Sequence, residues 1–231
     1  MRIRFHQRLD DLKEKLLVMA GMAEQAIQRA IEAYRTRDTS ICDLVMHGEL
    51  SINKLEREID QMALDLLAME QPMAIDLRFI LAVLKINADL ERVGDQAVNI
   101  AERVCDLNAF AAGELPVDIP HMASLALGMV RKALQSFIEG DAETAASVLA
   151  MDDQVDKMNE AAYYSLSNLI KEQPALTAQA LNALVIARNL ERVADHATNI
   201  AEDVIFWVRG ADVRHHQGDT QEVAPARPTP T

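Results

Sequence analysis

Apolar positions in this chain recur at alternating three- and four-residue spacings through long stretches that contain no proline. The first such stripe is Leu9, Leu12, Leu16, Met19, Ala23, Ala26, Ala30 and Ala33, the pattern of a helix that buries one seam in a bundle. Proline inside a helix removes a hydrogen bond and clashes with the preceding turn, so the prolines mark junctions. Pro72 and Pro174 sit in matching Gln-Pro turns, and Pro116 and Pro120 flank a loop that also holds Gly113. The pattern between these marks predicts six long helices, over 4–36, 38–70, 74–108, 119–139, 142–171 and 175–209. Asp38 and Asp141 stand where the second and fifth begin, and aspartate is a favoured N-cap. Helices of about 33 residues run about 50 Å at 1.5 Å per residue, so an elongated molecule is expected.

Composition agrees with an all-α fold. Half of the 231 residues are hydrophobic, only 4% are aromatic, and good helix formers dominate. The formal charge of −13 comes without a cluster of Lys and Arg, so nucleic-acid binding is not expected. An acidic surface suits cations or basic faces of partner proteins. No uncharged apolar run approaches about 18 residues, which predicts no membrane insertion. Cys42 and Cys105 are far apart in sequence, and Arg2, Arg4, Asp10 and Asp11 interrupt any signal-peptide pattern. A reducing, cytoplasmic setting is therefore expected.

The chain also repeats itself. Residues 90–102 return at 190–202 with ten of thirteen positions identical, around Leu-Glu-Arg-Val-x-Asp. Gly21-Met22 with Ala26 is echoed more weakly by Gly128-Met129 with Ala133. Two tandem antiparallel three-helix bundles follow, at 1–109 and 119–210, joined by a linker at 110–118 and followed by a disordered tail at 211–231.

Both copies of the repeat keep Glu, Asp and Asn at i, i+4 and i+8: Glu91, Asp95, Asn99 and Glu191, Asp195, Asn199. That spacing stacks three oxygen-bearing side chains on one helix face, where Glu and Asp repel by roughly 0.2–0.5 kcal/mol. On a wheel this stripe lies opposite Val93, Ala97, Ile100 and Val104, and so faces outward, although Ile80 and Leu84 share its face further back. The second helix carries its own stripe of Glu49, Asn53, Glu56 and Asp60, in which Glu56/Asp60 repeats the Glu/Asp spacing, and the fifth carries Asp152/Asp156. About the turn at Gln173-Pro174 the second pair of motifs is level. The first is level if the turn extends towards Asp76, a possible cap. Each unit would then gather four carboxylates, with Asn99 or Asn199 nearby, into an oxygen-rich cation site. Mg²⁺, Mn²⁺ or Ca²⁺ suit such ligands, and Fe or Zn less typically. The plainer alternative is a solvated acidic face neutralised by Arg57, Arg92, Lys157 and Arg192. His196 could approach the second site or be an exposed helix histidine. The Glu-x-x-His pairs of di-iron bundles, Gly-rich phosphate loops, Cys-x-x-Cys and a plausible Ser/His/Asp set are missing.

The chain resembles the PhoU family over residues 1 to about 215. The residues that carry the likeness are Met19-Ala20-Gly21-Met22-Ala23-Glu24-Gln25, Gln71-Pro72-Met73-Ala74-Ile75-Asp76-Leu77-Arg78 and the two Leu-Glu-Arg-Val-x-Asp segments. The resemblance implies a tandem three-helix fold and metal motifs of the form Glu/Asp-x-x-x-Asp, which fall on Glu56/Asp60, Glu91/Asp95, Asp152/Asp156 and Glu191/Asp195. Ala194 stands where the family often has glycine, and the Pro-x-x-x-Asp-Leu-Arg signature is absent after Pro174. It further implies a non-enzymatic negative regulator of phosphate uptake and starvation signalling. Its partners would be the ATPase subunit of a phosphate ABC transporter and a membrane sensor histidine kinase, and it would commonly be a homodimer. A carboxylate-bridged metal phosphohydrolase and a metal-buffering helical protein are the competing classes.

Overall fold

The computed structural model describes residues 2–210 except Gln71 and Ala112, so the tail expected at 211–231 lies outside the described residues. All regular structure among the described residues is helical: α1 (Arg2–Thr36), α2 (Thr39–Glu70), α3 (Ala74–Asn108), α4 (Ile119–Glu139), α5 (Ala142–Leu149), α6 (Asp152–Glu172) and α7 (Thr177–Arg209), with a short 3₁₀ turn at Pro174–Leu176. Helices α1–α3 form one antiparallel bundle and α4–α7 the other. The seam residues of α1, from Leu9 to Ala33, are all buried. Asp38 and Asp141 cap as expected, accepting from the backbone N–H of Ser40 and Glu143, each at 2.9 Å. Asp76 does not cap α3. Met73 holds the N-cap position, and Asp76 lies in the first turn.

One expected helix is divided. The run 142–171 breaks at Ala150-Met151, where both residues keep right-handed dihedrals and the turn tightens. The N–H of Met151 donates to the Val148 carbonyl at 2.9 Å. The break gives Asp152 and Asp153 the first turn of α6, where the positive end of a helix dipole favours carboxylates.

The bundles join through α3 and α7, which run antiparallel. Lys85 Nζ meets Asp203 Oδ1 at 3.0 Å, His196 meets Asp89, and Arg78 Nε donates to the Trp207 carbonyl at 3.1 Å. Phe79, Phe137 and Trp207 pack together at one end of this seam, with ring centroids 5.2–5.7 Å apart. At Gly140 the chain leaves α4 with φ +63°, a left-handed residue that lets the N–H of Asp141 close on the Ser136 carbonyl. No helix of the described residues is long and apolar enough to cross a membrane.

Candidate cation-binding clusters

The acidic motifs sit where α3 meets α2 and where α7 meets α6. In the second cluster Asp152, Asp156, Glu191 and Asp195 interact electrostatically. Burial, then Asp156, Asp195 and Asp153, push the Asp152 carboxyl up to about 6. Burial and Asp195 raise Glu191, although Arg188 Nη1 lies 2.6 Å from its Oε1. Burial and Asp156 raise Asp195. Two buried oxygens here, Asp152 Oδ1 and Glu191 Oε2, have no hydrogen-bond donor. A buried carboxylate oxygen without a donor costs more than a paired one, and a cation removes that cost.

In the first cluster burial raises Glu91, followed by Asp95, Glu56 and Glu49, and burial and Glu49 raise Asp95. Glu49 belongs to the stripe read on the second helix with Asn53 and Glu56, although it stands outside the Glu/Asp-x-x-x-Asp spacing. Asn53 Nδ2 donates to Glu49, and Asn53 Oδ1 is buried without a donor. Asp60 stands a turn away, accepting from Asn87 Nδ2 at 2.9 Å.

This register corrects the sequence alignment of the motifs. Glu56 faces Glu91 as Asp156 faces Glu191, so the offset of 100 holds through both hairpins. The counterpart of Asp152 is then Ile52, whose Cδ1 would lie 3.0 Å from a Cβ at Gly94. Position 194 can carry Ala because aspartate replaces that isoleucine on the facing helix. The stripe is also less exposed than a helical wheel implies: Glu91 is half-buried and Glu191 is 8% exposed, because adjoining helices cover the face that points away from the helix's own apolar stripe.

The two asparagines are exchanged between units. Asn199 Nδ2 donates to Asp89 of α3 at 3.2 Å, while Asn99 of α3 lines the same cavity as Asp156 and Glu191. His196 is not exposed, and it acts electrostatically on Asp195 of its own helix and on Asp95 of the first cluster. Its Nδ1 lies 2.9 Å from Asp89 Oδ1. Asp89 is itself buried and was not anticipated; its only sequence signal was an acidic residue just before the repeat, where the second copy has Asn189.

Among the described residues no three Asp, Glu, His or Cys side chains converge closely enough to enclose an ion as they stand. The donor set nevertheless fits a hard cation: all-oxygen, acidic, partly desolvated, and with oxygens that lack donors.

The PhoU domain model matches residues 16–104 and 119–204. The chain is 39% identical over 214 residues to the phosphate-specific transport system accessory protein PhoU homolog of Pseudomonas aeruginosa, covering 91% of this chain and 88% of that one. Its identity to the Escherichia coli accessory protein PhoU is 30% over 219 residues, covering 93% and 89%. The fold superimposes on the crystal structure of PhoU from Pseudomonas aeruginosa with a TM-score of 0.85 at 37% identity, covering 90% of this chain and 100% of that one. On the Streptococcus pneumoniae phosphate transport system regulatory protein PhoU the TM-score is 0.84 at 27% identity, covering 90% and 99%. Two matched domains, one on each bundle, and relatives aligned along nearly the whole chain place this protein in the PhoU family.

Proposed function

We propose that this protein restrains phosphate uptake and phosphate-starvation signalling when phosphate is plentiful, as a cation-loaded adaptor rather than an enzyme. The family membership supports the phosphate role, since relatives aligned along nine-tenths of the chain are accessory proteins of phosphate-specific transport. Its partners are the ATPase subunit of a phosphate ABC transporter and a membrane sensor histidine kinase, and its working form is a cytoplasmic homodimer.

The observation that carries the cation reading is the pair of donorless buried oxygens on Asp152 and Glu191, within a group of mutually repelling carboxylates. Asp152, Asp156, Glu191 and Asp195 would hold one ion. Glu56, Glu91 and Asp95, with Glu49 beside them, would hold the other, and Asp60 stays with Asn87. A bound Mg²⁺ or Mn²⁺ supplies positive charge that cancels the repulsion and stiffens α2 against α3 and α6 against α7 as docking faces. The test is deletion of the gene in its host, with a phosphate-starvation reporter read in high phosphate. The reporter is expected to come on, and Glu91→Gln with Asp95→Asn is expected not to silence it again. A reporter that stays silent after deletion removes the regulatory reading.

A further inference from the structure

The antiparallel α3–α7 seam and the 100-residue repeat create two equivalent grooves, one flanked by α2 and the other by α6. The first is bridged by charged side chains. Lys85 reaches Asp203, and Asp89 accepts from His196 and Asn199. The repeat places Val185 where Lys85 stands, Arg103 for Asp203 and Asn189 for Asp89. Valine has no donor, so the equivalent bridge cannot form, and the second groove opens as a cavity of about 1070 Å³.

The two ends of this cavity differ. One is a wall of Tyr163, Tyr164, Leu184 and Val185. The two tyrosines are 57% and 59% exposed and meet edge to face at 5.6 Å. The other end holds Asp156 and the buried Glu191, whose Oε2 has no donor. Arg188 and Arg192 flank Glu191 on α7, Arg188 paired with its Oε1 at 2.6 Å, and Glu102, Asp153 and Glu160 also line the cavity. From Leu184 to Glu191 is about 10 Å along the helix at 1.5 Å per residue, comparable with the reach of a nucleotide from its base to its phosphates.

We propose that this groove binds a nucleoside polyphosphate as its divalent-cation complex. The base lies against Tyr163 and Tyr164, the phosphates face Arg188 and Arg192, and the cation sits with Asp156 and Glu191. The assignment rests on the cation reading of the second cluster, because phosphates approach carboxylates only through an intervening ion, and Mg²⁺ is commonly held by one or two carboxylates plus phosphates. Inorganic phosphate alone would leave the aromatic wall unused. A basic amphipathic helix would satisfy Glu191 but would meet Arg188 and Arg192 with like charge.

The experiment is calorimetric titration of the full chain in Mg²⁺ with ATP and with inorganic tripolyphosphate, beside thermal melts with Mg²⁺ or Mn²⁺ alone. ATP is expected to bind only with the cation present, and tripolyphosphate about tenfold more weakly. Tyr163→Ala with Tyr164→Ala, both on exposed side chains, should weaken ATP about tenfold and leave tripolyphosphate unchanged. Val185→Lys with Arg103→Asp rebuilds the bridge of the first groove, and should remove ATP binding while the cation still raises the melting temperature. Absence of ATP binding in a protein that the cation still stabilises overturns the nucleotide assignment alone. So does equal binding of ATP and tripolyphosphate, which marks a plain polyanion site. A melting temperature that neither cation nor ATP moves overturns the cation reading along with it.

Discussion

Asp89 of α3 accepts hydrogen bonds from two residues of α7, His196 Nδ1 at 2.9 Å and Asn199 Nδ2 at 3.2 Å. The carboxylate is 6% exposed, so its partners carry its desolvation. His196→Ala should lower stability by about 1–3 kcal/mol in urea unfolding. Asn189→Ala, the repeat counterpart of a change at Asp89, should cost less, because that side chain is neutral and donates to the Val185 carbonyl of its own helix.

Cation binding should raise the melting temperature, and each cluster should contribute its own share. Glu91→Gln with Asp95→Asn should remove one part, and Asp156→Asn with Glu191→Gln the other. The four-residue variant should show no shift with Mn²⁺. Differential scanning fluorimetry with and without EDTA reads this. A full shift in the four-residue variant contradicts the assignment.

Asp152 gives the apo protein a definite pH dependence. Its folded carboxyl is raised to about 6 from 3.8, so the folded state binds the proton more tightly than the unfolded one. Stability from this group is greatest at low pH, and is lost as pH rises through about 6. Asp152→Asn should therefore stabilise the apo protein at pH 7, by about 1 kcal/mol once solvent screening of this part-exposed carboxyl is allowed for, and flatten the profile between pH 4 and 7. With Mn²⁺ present the trend reverses, because ligation needs the carboxylate, and the melting shift should shrink from pH 7 to pH 5.

Gly94 is matched to Ile52. Ala at 94 gains about 1 kcal/mol of helix propensity but meets Ile52 Cδ1 at 3.0 Å. In an Ile52→Val background that methyl is gone. Gly94→Ala should then be more favourable than in the natural chain, a coupling visible in a double-mutant cycle of unfolding free energies.

Cys42 should be inert. Burial, then the neighbouring Cys105 thiol, push it up to about 12, so almost no thiolate exists at neutral pH. Iodoacetamide at pH 7.5 should modify Cys105 first, leaving Cys42 untouched until the protein unfolds. The two thiols are distant in sequence, and only the α2–α3 packing brings them together.

Much of the fold was legible because its signals are local. The α1 seam, the Gln-Pro junctions and the caps at Asp38 and Asp141 each follow from residues within a turn or two. The site was legible only in part. The repeated Glu-x-x-x-Asp put Glu91 with Asp95 and Glu191 with Asp195 on one face of each helix, but register across a hairpin is set by packing. Ile52 against Gly94 decided that Glu49 joins the first cluster while Asp60 bonds Asn87. Asp89, His196 and the exchange of Asn99 and Asn199 were hidden because the α3–α7 contact joins segments more than 100 residues apart.

The α3–α7 seam bears on how such a chain arose. Two copies of one unit meet through the same helix, antiparallel, so that later residues of α3 pair with earlier residues of α7, as two separate identical chains would meet about a twofold axis. Joining the copies into one polypeptide released that surface from having to match itself. Lys85 and Asp203 could then bridge one side of the seam while Val185 and Arg103 form no such bridge beside the cavity on the other, a division of labour that no symmetric pair of identical subunits can have.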